Sequence, residues 1–194
     1  ASMKRLIYVA FDNLNREYGA LRDADPQQDS VVLVESQRMI TSKRWHRQRL
    51  FFLISSARHF VQELRDEGFD VHYIKASTTL EGIQQAREIV GADVVIAVQP
   101  SSHKLSEQLA REVDFVENDF FLTSRGEFAR WASGQKKLLM ENFYRSQRMR
   151  LKLLVNSEGE PLGGAWNFDQ ENRQSLPNGH NFPAYLKHSY DEID

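Results

Sequence analysis

The chain contains no cysteine. Disulfides and cysteine-ligated zinc or iron–sulphur centres are therefore excluded within it. No apolar run approaches the ~18 residues that a membrane-spanning helix requires. No basic, apolar and cleavage-site succession opens the chain, so a cytoplasmic location is the default and no membrane is expected. Ala1-Ser2 ahead of Met3 reads as a tag remnant. The net charge is only −2 over 194 residues, so bulk charge does not make the surface a polyanion binder. After the first apolar run no glycine occurs until Gly19. A dinucleotide fingerprint and a Walker A loop are both missing, which argues against a nicotinamide dehydrogenase or a nucleotide kinase. His46 and His59 do not share a helix face at zinc-ligand spacing, and no metal site is expected. Ser101-Ser102-His103 lacks the glycines of a nucleophile elbow, and no catalytic residue is assigned.

What remains is an ordinary globular composition, 41% hydrophobic and 27% charged. Leu6–Ala10, Val31–Val34, Val71–Ile74, Val94–Val98 and Val113–Val116 are short apolar runs that read as buried strands. Between them, apolar positions recur at helical spacing over 45–67, 80–90 and 105–112, with Gly68 and Gly91 as stops. Strands alternating with helices predict a Rossmann-like, doubly wound five-stranded parallel sheet covered on both faces. Beyond residue 122 the alternation ends. Helical patterns over 126–132 and 138–154 precede a stretch rich in Gly, Pro and Asn, which reads as an irregular arm. The predicted division is a domain over 3–155 and an arm over 156–194.

In open parallel sheets, ligands bind beyond the carboxyl ends of the strands. Polar groups gather there. Strand one delivers Asp12, Asn13 and Asn15, strand two delivers Glu35, and strand four leads into Gln99–His103. Amides and carboxylates can pair with the edges of a flat heterocycle, or can simply turn the chain. Two basic clusters carry aromatics: Lys43–Arg49 around Trp45, and Arg145, Arg148, Arg150 and Lys152 beside Phe143 and Tyr144. Such clusters grip nucleic acid in some proteins and are solvated helix faces in others.

Three motifs occur in order: Phe11-Asp12-Asn13-Leu14, then Met140-Glu141-Asn142-Phe143-Tyr144-Arg145-Ser146-Gln147-Arg148-Met149-Arg150, then Gly163-Gly164-Ala165-Trp166-Asn167-Phe168-Asp169-Gln170-Glu171-Asn172-Arg173. Together they resemble the deoxyribodipyrimidine photolyase-related proteins, the iron–sulphur branch of bacterial cryptochromes and photolyases. The resemblance runs from about Met3 to Pro177 and concerns the family's N-terminal portion. It implies an antenna domain that binds 6,7-dimethyl-8-ribityllumazine. It further implies a helical domain, beyond this chain, that holds FAD and a four-iron cluster and repairs damaged DNA or signals light. By the resemblance, Asp12, Asn13, Leu14, Glu35, Met39 and Leu53 face the chromophore. Arg145, Arg148, Trp166, Asn167, Asn172 and Arg173 meet the helical domain or nucleic acid. Phe11 stands where the family has glycine, and Met39 where it has a second glutamate, so weaker lumazine binding is predicted. The alternative is a stand-alone regulator or light sensor that binds a partner or nucleic acid. A small-molecule enzyme on the same fold ranks below both.

Trp166 and Phe168 stand two apart and share one side of an extended chain. At least one of them is predicted to dock near the Met140–Arg150 helix.

Overall fold

The computed structural model describes residues 3–42, 46–166 and 179. Five strands form one all-parallel sheet in the order β3-β2-β1-β4-β5. They are β1 (Arg5–Tyr8), β2 (Asp29–Ser36), β3 (Asp70–Ala76), β4 (Val94–Val98) and β5 (Asp114–Val116). Ile7 lies opposite Val31 on one side and Ile96 on the other, so β1 is the central strand. The Rossmann-like α/β arrangement predicted from the alternation of elements is present.

Side chains alternate across each strand, and this divides the core in two. Leu6, Tyr8, Val32 and Val34 point to one face, where they meet Ile83, Ala86 and Val90 of α3 (Thr79–Val90) and Leu109 of α4 (His103–Leu109). Ile7, Val9, Val31 and Leu33 point to the other, against Ala57, Phe60, Val61 and Leu64 of α2 (Arg47–Asp66). A one-turn helix α1 (Gln37–Ile40) leaves the end of β2.

Local chemistry sets the helix ends. His46 accepts the Gln48 N–H at 3.3 Å and caps α2. Thr78 caps α3, and Gly91 closes it at φ +68°, a left-handed conformation that glycine adopts without penalty. Gly82 packs its Cα against the Val34 side chain so closely that a Cβ has no room.

The sheet-containing unit ends at Phe121, and Leu122 begins a second compact unit. This division falls ahead of the boundary at 155 that composition suggested. In the second unit, α5 (Arg125–Ser133) opens with a capping box between Ser124 and Glu127. It shares an aromatic cluster with α6 (Met140–Leu151): Phe143 lies 5.0 Å from both Phe128 and Trp131. Arg150 joins them further by an ion pair to Glu127 at 3.1 Å and a hydrogen bond to the Leu122 carbonyl at 2.7 Å. The helix predicted over 138–154 ends at Leu151, because Lys152 turns left-handed at φ 54°. The arm then folds back through an antiparallel bridge between Val155 and Pro161.

Candidate functional site

In the order β3-β2-β1-β4-β5 the connections reverse direction between β1 and β4. A cleft of about 320 Å³ opens at that reversal. Its floor is Tyr8, Val9 and Ala10 at the end of β1 and Val98 at the end of β4. Asp12, Asn13 and Asn15 rise from the loop after β1, and Pro100, Ser101 and Ser102 from the loop after β4. Tyr18 and Phe120 close one side with ring centroids 6.3 Å apart.

The cleft walls are fixed by identifiable bonds. The Asp119 carboxylate accepts the Gly19 N–H at 3.3 Å and pairs with Arg22 at 3.2 Å, tying the loop after β5 to the loop after β1. Gly19 has φ +75° and lies hard against Val98, so the close approach requires glycine. The Asn15 side-chain oxygen accepts the N–H groups of Glu17 and Tyr18 and so shapes its own turn. Ser102 accepts the Leu105 N–H at 3.3 Å and serves as the N-cap of α4. Among the described residues, the Asp12 and Asn13 side chains have no protein hydrogen-bond partner. The Tyr8 hydroxyl pKa is raised, first by burial and then by the Asp12 charge, so it stays protonated and able to donate.

The six residues expected around a chromophore do not converge. Asp12 and Asn13 line the cleft. Leu14, Met39 and Leu53 pack instead into the core on the α2 side, against the cluster that contains Phe11. Phe11 is 8% exposed and stacks on Tyr73, with ring centroids 6.2 Å apart and 17° between planes. Its ring therefore fills the side of β1 that faces β2. Glu35 is buried and already engaged: Tyr73 donates its hydroxyl proton to it, Arg58 lies 3.3 Å away and Lys75 4.0 Å. Burial first, then the bond to Glu35, raises the Tyr73 pKa. Glu35 lines a separate polar cleft with Gln37, Lys75 and Glu81. A lumazine held by all six residues does not fit this arrangement. Sequence reasoning missed Tyr18, Phe120 and Asn118, which lie on loops without hydropathic period.

Within the second unit, α6 presents Arg145 and Arg148 one turn apart. Their guanidinium carbons lie 4.5 and 5.0 Å from the centre of the Trp166 ring. Arg148 also donates to the backbone carbonyls of Trp166 and Leu154 at 3.2 and 2.5 Å. Trp166 thus docks on the helix, as its position in the third motif predicted. Arg145 and Trp166 line a shallow cavity with Gly159, Glu160, Pro161 and Gly164. Phe168, Asn167, Asn172 and Arg173 lie outside the described residues, as do Lys43, Arg44 and Trp45. No described helix is long and apolar enough to cross a membrane.

Residues 7–194 match the family described as deoxyribodipyrimidine photo-lyase-related protein. The chain is 34% identical over 185 residues to a (6-4) photolyase of Agrobacterium fabrum, a match that covers 89% of this chain and 36% of the relative. It is 22% identical over 166 residues to an uncharacterized protein of Acanthamoeba polyphaga mimivirus, covering 78% of this chain and 81% of that protein. The chain therefore spans little more than a third of the photolyase.

Proposed function

Because this chain belongs to the deoxyribodipyrimidine photo-lyase-related family, we propose that it is the N-terminal, light-harvesting portion of a photolyase- or cryptochrome-like flavoprotein. The observation that carries this reading is an aromatic-walled cleft at the reversal point of a parallel sheet, within a fold that matches the family along its length. The chain binds a flat pigment and passes its excitation on; 6,7-dimethyl-8-ribityllumazine is the proposed pigment. FAD, the four-iron cluster and the repair of damaged DNA, or light signalling, belong to a helical domain in a longer protein, for which the photolyase relative is the guide.

The second unit supports the same reading. Leu138, Met140, Tyr144 and Leu154 are all at least 60% exposed there. A helical domain docking on α6 and the Trp166 clasp buries this apolar surface. The test is a fluorescence titration of the purified chain with the lumazine. Saturable one-to-one binding is expected. No saturation up to millimolar pigment contradicts the reading.

The alternative, a stand-alone regulator or light sensor, draws on the mimivirus protein. There the match extends over 81% of the relative, so a chain of similar extent occurs without the additional length of the photolyase.

A further inference from the structure

We propose that the ligand of this chain sits on the β4 side of β1, in the cleft between Asn13, Tyr18, Ser101 and Leu105, and that Phe11 excludes it from the β2 side. This rests on the light-harvesting reading only for the identity of the pigment; the location rests on the packing.

Phe11 decides which side is open. Successive residues after β1 point to opposite faces. Phe11 turns into the α2-side core, where it stacks on Tyr73 beside Leu14, Met39 and Leu53. Asp12 and Asn13 line the open cleft on the other side. Glu35 cannot serve as a free acceptor, because Tyr73, Arg58 and Lys75 already surround it. The cleft, by contrast, offers an aromatic wall and polar side chains without protein partners.

The lining also sets the ligand class. Asp12 is the one charged side chain among the described residues that line the cleft. A phosphate there meets a carboxylate and no counter-charge, while the first-turn Leu105 N–H of α4 is taken up by Ser102. The tyrosine and phenylalanine rings suit a flat heterocycle, and the serine, amide and carboxylate groups suit its polar edge and a hydroxylated tail. The ligand is a flat, unphosphorylated heterocycle.

The experiment compares riboflavin with FMN, which share a ring and differ by a phosphate, and adds the lumazine as a third probe, all by fluorescence titration of the full chain. Riboflavin is expected to saturate one site, and FMN to bind at least tenfold more weakly. Leu105→Trp fills the cleft and Tyr18→Ala removes its wall; both sit on accessible positions, and each should weaken riboflavin at least tenfold. Glu35→Gln and Leu53→Ala should change its Kd by less than twofold. The proposal is overturned if Glu35→Gln or Leu53→Ala weakens binding while the cleft variants do not, if FMN binds as tightly as riboflavin, or if riboflavin does not saturate. Riboflavin bound in the cleft with the lumazine refused keeps the site and removes the pigment assignment. Lumazine binding that depends on Glu35 keeps the pigment and removes the site.

Discussion

The Arg145 guanidinium lies 4.5 Å from the centre of the Trp166 ring, and Arg148 approaches the same ring to 5.0 Å while holding the Trp166 carbonyl. Two cations spaced one helical turn apart thus fasten the arm to α6. Removing a fully buried tryptophan costs ~3–5 kcal/mol, and a half-buried one roughly half of that. Trp166→Ala should therefore lower the melting temperature by several degrees. A superimposable melting curve for the variant would show that the clasp contributes nothing.

A second prediction concerns pH. Arg5 on β1 pairs with Asp29 on β2 through two hydrogen bonds of 2.8 and 2.5 Å, and the Asp29 side chain is 1% exposed. Burial opposes its ionisation, but the Arg5 bonds and the Asp25 N–H outweigh it and hold its pKa below the usual carboxylate value. Its folded pKa therefore lies under the unfolded ~3.9. The stabilisation is complete above that value and fades as pH falls through the lower, folded one. Asp29→Asn should cost about 2 kcal/mol at pH 7, tempered because the Arg5 side chain is 36% exposed. Denaturant titrations at pH 7 and pH 3 check both statements: the gap between wild type and variant should narrow in acid, and a constant gap would refute the assignment.

The α3–sheet contact gives a third. Gly82 has no space for a Cβ against Val34. Gly82→Ala should destabilise by about 1–3 kcal/mol despite alanine's better helix propensity. Val34→Ala in the same chain should recover part of the loss. Additive losses in the double variant would mean that the two residues do not meet.

Much of this architecture is legible in the sequence. The runs Leu6–Ala10, Val31–Val34 and Val94–Val98 are continuous because both faces of a parallel sheet are covered, and the structure places each in a strand. Hydropathy marks strands but not their order. The placement of β4 beside β1 puts the cleft between those two strands, where Asp12 and Asn13 meet Ser101 and Ser102 rather than Glu35. Tyr18 and Phe120 come together across about a hundred residues, through Asp119 and the tight turn at Gly19, and no local pattern carries that contact. The fate of Glu35 depends on Tyr73 and Arg58, which are distant in sequence and ordinary in composition.

Asp119 provides a fourth prediction. It joins the Gly19 N–H and Arg22 and so holds Phe120 near Tyr18. Asp119→Ala should weaken heterocycle binding several-fold with little change in melting temperature, since the ion pair is on the surface and worth ~0–1 kcal/mol. Unchanged affinity would mean that the aromatic wall needs no such tether.

The most direct measurement is amide chemical-shift mapping of isotope-labelled protein during titration with 6,7-dimethyl-8-ribityllumazine. The shifts are expected to cluster at Ala10–Tyr18, Ser101–Leu105 and Asn118–Phe121, with Glu35–Ile40 and Leu53 unmoved. Shifts centred on Glu35, Met39 and Leu53, or no saturable shifts at all, would contradict the account.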